Sequence, residues 1–218
     1  MPTIEKVTRV KAHTVYKLRN GQRVPGVTTV LGVLNKPALV PWANKLGLQG
    51  IDTTKYVDKL AGIGTLAHYL VECHIKKIEP ELEGFSPEEI DLAENSFLSF
   101  LEWEKNQKIS YLDSEIILVS EQYKYGGTID CYCSLNNQKT LLDFKTGKGI
   151  YEEMYYQLAA YRQLLEENGF QVDDCYILRI GRTEDEGFEY QKVDRKQLDK
   201  YWQIFYHARQ IYELKRRK

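Results

Sequence analysis

Apolar residues recur along this chain in two rhythms, and the change from one to the other lays out the elements. Over 56–77 they return every three or four positions, the period of a helix buried along one face. Ser86-Pro87-Glu88-Glu89 opens a second helix, predicted to run to about Gln107, with a serine cap, proline at the first position and acids in the first turn. The rhythm then shifts to alternation, which predicts strands over 114–123, 127–135 and 139–146, the last two joined by Asn136-Asn137. A helix over 151–168 follows, stopped by Gly169, and strands near 174–180 and 188–193 precede a last helix from Arg195. Ahead of all this, residues 1–27 read as a strand pair around Asn20-Gly21. Thr28 or Thr29 caps a short helix there, and Pro37 and Pro41 divide it from another.

This order describes one α/β unit without repeats or long linkers. The reading is a single domain, 1–218, with an N-terminal extension over 1–60, a core over 61–193 and a C-terminal helix over 194–218. At 218 residues the chain is long enough for one substantial core. No window of about 18 apolar residues could span a bilayer, and the first residues lack a secretory pattern, so a soluble, cytoplasmic protein without a membrane partner is expected. Cys73, Cys131, Cys133 and Cys175 contain no C-x2-C pair, which reads as reduced structural thiols. Net charge is −1, but residues 1–50 carry eight Lys/Arg against Glu5 alone, so a positive face can form locally. Nothing in the sequence points to a protein partner.

Alternation also sorts side chains by face. Leu141, Asp143 and Lys145 share one side of their strand, so acid and amine meet. Thr128, Asp130 and Tyr132 share a side of the preceding strand, and pairing through the Asn-Asn turn brings Asp130 and Asp143 together at one end of the sheet. Two adjacent carboxylates repel each other unless a divalent cation sits between them. Two acids and a lysine suit Mg²⁺ or Mn²⁺, with the ammonium set against an attacking water or the charge developing on phosphorus. A salt-bridged strand end is the plainer reading of the same residues. Gly64-Thr65-Leu66-Ala67-His68 puts a histidine on a helix four positions after a glycine, where another group can approach closely. Gln157 and Tyr161, at i and i+4, share one face of the helix that follows the lysine strand.

Taken in order, Gly64-x3-His68, Gly127-x2-Asp130, Asp143-Phe144-Lys145 and Gln157-x3-Tyr161 resemble the RecB-type exonuclease branch of the PD-(D/E)XK nuclease superfamily. The N-terminal VPGVTTVLGVLNKPALVPWANKLG is similar to the leader of phage-encoded and mitochondrial genome-maintenance members of that branch. The resemblance implies a restriction-endonuclease-like αβββαβ core, a mixed sheet flanked by helices, with an N-terminal hairpin and helical extension. It implies a Mg²⁺- or Mn²⁺-dependent DNA exonuclease, phage or mobile-element encoded, serving recombination, replication or degradation. A structure-specific or restriction-type endonuclease, and an inactive nucleic-acid-binding module of the same fold, are the alternatives. By the same resemblance His68, Asp130, Asp143 and the Phe144 carbonyl hold the metal, Lys145 orients water, and Gln157 and Tyr161 steady the lysine or the phosphate. Glu115 or Glu121 is a further acid, and spacing does not choose between them. Relatives with an iron–sulfur cluster carry a late C-x2-C group that this chain lacks, so no cluster is expected.

Holding DNA takes phosphate contacts and, for single strands, aromatic stacking. Lys124, Tyr125, Lys148 and Tyr151 are the substrate-binding candidates flanking the site. Most of the sixteen tyrosines read as core or sheet residues, and Trp42, between a pair of prolines and a basic helix, reads as a core anchor in preference to a stacking platform.

Overall fold

The structure is a computed structural model, and residues 14–216 are described. A short hairpin, β1 (Tyr16–Lys17) and β2 (Arg23–Val24), leads into the helices α1 (Val27–Leu31), α2 (Leu39–Leu48), α3 (Thr53–Lys76) and α4 (Pro87–Glu104). The strands β3 (Ile109–Ser120), β4 (Tyr125–Leu135) and β5 (Gln138–Lys145) follow. Then come α5 (Glu152–Glu167), β6 (Asp174–Ile180), β7 (Phe188–Lys192) and α6 (Arg195–Arg216). The five long strands form one mixed sheet in the order β3-β4-β5-β6-β7, antiparallel except for the β5–β6 pair that α5 connects. The fold is thus α/β with an N-terminal hairpin and helical extension.

Local chemistry explains the junctions. Ser86 accepts from the Glu89 N–H while the Glu89 carboxylate accepts from the Ser86 N–H, which closes both orphan donors at the start of α4. Asn136 and Asn137 both take left-handed backbone, φ 51° and 65°, as a two-residue hairpin loop requires and asparagine tolerates. β5 lies between two partners and is buried from Thr140 to Phe144, and its side chains alternate between two cores. Leu141 joins the core under α5 and α6, whereas Leu142 and Phe144 join Phe100 and Trp103 of α4. The hairpin is seated on β4: the Gly126 N–H donates to the Pro25 carbonyl at 3.0 Å, and a Cβ on Gly126 would fall 2.4 Å from Tyr16 Cγ.

Three expectations are corrected. Gly26, not Thr28 or Thr29, caps α1, because its bridge to Gly126 holds it extended at φ −75°, ψ 161°. β3 begins at Ile109 and ends at Ser120, not over 114–123, because a bulge between Tyr111 and Asp113 breaks the alternation at its start. Trp42 is no core anchor: α2 buries none of its residues and Trp42 is 38% exposed. The part of the expected first strand that precedes Thr14 lies outside the described residues. All four cysteines are buried and free, and no helix among the described residues is long and apolar enough to cross a membrane.

Candidate active site

The β4–β5 ladder runs from Leu135↔Gln138 to Cys131↔Leu142 and stops there, one step before the two aspartates its register would set face to face. Where the strands part, a side chain replaces the backbone partner: the Phe144 N–H donates to Asp130 Oδ2 at 2.8 Å. On the other side of β4, the pairs Ser114↔Cys131 and Ile116↔Ile129 straddle Glu115, which therefore lies across from Asp130. Glu115 has φ 55°, a left-handed conformation uncommon for a glutamate and worth on the order of 1 kcal/mol of strain.

Helix α3 completes the cluster. Gly64 comes so close to the end of β5 that a Cβ would meet Thr146 Oγ1 at 2.7 Å, and one turn later His68 reaches over the parted strands. His68 Nδ1 is 3.6 Å from Asp130 Oδ1, and its ring stands edge-on to Phe144 with centroids 6.0 Å apart. His68, Glu115 and Asp130 each present a ligating atom within 4.8 Å of the others.

Asp143 is fully buried beside this group, with Lys145 Nζ 2.5 Å from its Oδ2. The contact is a close ion pair, and beyond Lys145 neither Asp143 oxygen has a hydrogen-bond partner among the described residues. Burial raises the Asp143 carboxyl most, Lys145 opposes, Asp130 adds repulsion and His68 lowers it slightly, leaving it at about 6. On α5, Gln157 Nε2 donates to the Tyr161 hydroxyl at 2.8 Å. Burial first, then Asp130 and Asp143, holds that phenol neutral, far above its ordinary range. The helix approaches because β4 is bare beneath it: a Cβ on Gly127 would lie 2.7 Å from Tyr161 Cε1.

The structure thus brings together His68, Glu115, Asp130, Asp143, Phe144, Lys145, Gln157 and Tyr161. Asp143 stands outside the mutual cluster, paired with the Lys145 ammonium. Glu121 lies six residues beyond Glu115 in the β3–β4 turn, where it accepts from the Arg19 N–H at 2.7 Å. The signal that selects Glu115 is the length of that turn: Ser120 pairs with Tyr125, so counting back five from Ser120 and forward five from Tyr125 couples Glu115 to Asp130.

Two of the expected substrate contacts are misplaced. Tyr125 is wholly buried, donates to the Ala160 carbonyl at 2.9 Å and packs against Phe205, so it is a core residue. Lys124 is exposed at the start of β4, about 20 Å from Asp130 by strand rise, and its carbonyl takes the Arg209 Nε–H. Lys148 and Tyr151 are exposed in the loop that follows Lys145, on the side of the site.

No family model matches the chain, and no curated protein does. Among solved structures it is similar to a Eubacterium rectale protein assigned as an exonuclease, at 11% identity and a TM-score of 0.48, covering 66% of this chain and 64% of that one. It is also similar to an alkaline exonuclease from Laribacter hongkongensis, at 10% identity and a TM-score of 0.36, covering 87% and 91%. That exonuclease in complex with dAMP aligns at 10% identity and a TM-score of 0.33, covering 72% and 90%. The chain spans just under two thirds of the Eubacterium rectale protein. At such identities and TM-scores the chemistry has to be argued from the residues of the site.

Proposed function

We propose that this protein is a divalent-metal-dependent nuclease that hydrolyses phosphodiester bonds of DNA from free ends. The observation that carries the reading is the convergence of His68, Glu115 and Asp130 within 4.8 Å of one another, beside a buried Asp143–Lys145 ion pair. These residues fit a hard cation such as Mg²⁺ or Mn²⁺, since two carboxylates and an imidazole converge there, next to a buried carboxylate with no close partner but Lys145 among the described residues. His68, Glu115, Asp130 and Asp143 would hold it, with the Phe144 carbonyl as a further ligand. The bound cation supplies Lewis-acid polarisation of the phosphate.

The remaining steps belong to the protein's own groups. Lys145 offers three N–H donors, one of which orients the attacking water while others meet the charge that gathers as water oxygen bonds to phosphorus and the ester P–O bond breaks; the proton the water loses passes to solvent, and the leaving oxygen takes one from solvent. Asp143 keeps that ammonium in place from beneath. Gln157, fixed by Tyr161, steadies either the lysine or the phosphate. Lys148 and Tyr151 meet the strand as it leaves the site. The motif resemblance extends the reading to a phage or mobile-element enzyme of recombination, replication or degradation, working in the host cytoplasm without an iron–sulfur cluster.

The test is cleavage in Mg²⁺ or Mn²⁺ of end-labelled linear DNA, single- and double-stranded, beside closed circular plasmid. Linear DNA is degraded and circles survive; cut circles would assign an endonuclease. Lys145→Ala lowers the rate on linear DNA by about a thousandfold, and an undiminished rate would refute the assignment.

A further inference from the structure

Helix α2 is an anomaly in the fold. Its sequence, LVPWANKLGL, is mostly apolar, yet it buries no residue. Leu39, Val40, Trp42 and Leu48 are 51, 74, 38 and 81% exposed. The Trp42 ring lies 6.3 Å from that of Tyr56 at the start of α3, tilted by 51°. The span 36–59 carries Lys36, Lys45, Lys55 and Lys59 against Asp52 and Asp58. Asp52 is taken up in capping α3, where it accepts from the N–H groups of Thr54 and Lys55. Lys45 lies three positions after Trp42 on its helix and Lys59 three after Tyr56, although Lys59 also pairs with Glu88 at 2.9 Å in an exposed ion pair that a phosphate can open at little cost.

This aromatic, basic surface flanks the active site at two points. Lys36, just before α2, pairs at 2.5 Å with Glu153, which shares an i, i+4, i+8 face of α5 with Gln157 and Tyr161. Tyr56 and Leu60 line a 340 Å³ cavity whose other wall carries Lys148, three residues beyond Lys145, and Arg182 beside Asp185 and Glu186. Along α3, Tyr56 stands about 18 Å from His68.

We propose that α2 and the start of α3 form a base-stacking platform, centred on Trp42 and Tyr56, that holds the single-stranded end of a DNA substrate beside the active site. The choice of DNA rests on the nuclease reading above; the choice of a single strand rests on the rings. Unpaired bases offer π-faces to exposed aromatics, and phosphates between them meet the lysines. A duplex keeps its base faces stacked on one another. A second copy of the chain fits poorly, because a two-fold contact would set lysines against lysines, and lysine is depleted from protein interface cores.

Trp103 and Trp202 are only 7 and 9% exposed, so Trp42 is the tryptophan open to solvent and the one whose emission a bound base can quench by contact. The experiment titrates the protein, in EDTA, with oligothymidylate and with an abasic oligonucleotide of equal length, which has the same phosphates and no bases. Oligothymidylate quenches the emission and binds about tenfold more tightly than the abasic strand; Trp42→Ala removes the quenching and weakens oligothymidylate about tenfold, and Trp42→Phe restores affinity. Equal affinity for the two strands, or unchanged oligothymidylate affinity in Trp42→Ala, would overturn the platform. So would sedimentation showing a dimer that Trp42→Ala dissociates with no effect on DNA. Because the titration contains no metal, absence of cleavage in a separate assay would count against the nuclease reading and leave the platform standing.

Discussion

Asp143 concentrates the tension of the site. A fully buried carboxylate whose one close partner among the described residues is Lys145 is costly to ionise, and that ammonium offsets only part of the cost. Its folded pKa of about 6 lies above the unfolded value of about 3.9, so the stability owed to the neutral carboxyl is complete below about pH 4 and is lost as the pH rises through about 6. Asp143→Asn stays neutral throughout. In metal-free buffer it should match the parent protein near pH 4 and exceed it above pH 6 by on the order of 1–3 kcal/mol in urea denaturation, while losing cleavage. Parallel stability curves for the two proteins would show that Asp143 is not strained. The neighbouring acids separate in a second measurement: calorimetric titration with Mn²⁺ should find affinity lowered 10- to 100-fold in Glu115→Gln and unchanged in Glu121→Gln. The reverse order would move the centre to the β3–β4 turn.

At the level of elements, the site exists because β4 and β5 separate one residue before their aspartates and because α3 and α5 come close to the parted ends. Close approach is set by Gly64 and Gly127, where a methyl group would meet Thr146 and Tyr161 at 2.7 Å. Gly127→Ala should cost about 1–3 kcal/mol in thermal denaturation, since both Tyr161 and Leu164 must shift, and a loss below about 0.5 kcal/mol would mean that α5 is not tightly seated. Much of this was legible in the sequence. Period-2 alternation placed Asp143 beside Lys145, and the Asn136-Asn137 turn set the register that aligns Asp130 with Asp143. Helical spacing joined Gln157 to Tyr161. Less was legible where a rule of spacing is interrupted. The bulge near Asp113 hid the start of β3, and the strand's early end at Ser120, not 123, hid the turn length that selects Glu115 over Glu121. Nearness in sequence to the site made Tyr125 look like a substrate contact, and Trp42 read as a core anchor; both assignments turn on tertiary position, which buries Tyr125 and leaves Trp42 exposed.

For the molecule as a whole, the N-terminal extension is tied to the sheet, not appended to it. Tyr16 lies against Gly126 and its hydroxyl meets Thr128 Oγ1 at 3.0 Å, two residues from Asp130. Val27, Val30 and Leu31 of α1 share a core with Leu164 of α5 and Phe205 of α6. Heating should therefore give a single cooperative transition seen alike by tryptophan fluorescence and circular dichroism, and two resolved transitions would show that the extension folds apart from the core. The central claim, that the converging acids and His68 form a metal centre, is tested most directly by manganese anomalous diffraction from soaked crystals. The account predicts a peak within coordination distance of His68, Glu115 and Asp130. A map with no peak there, or with manganese only elsewhere on the protein, would contradict it.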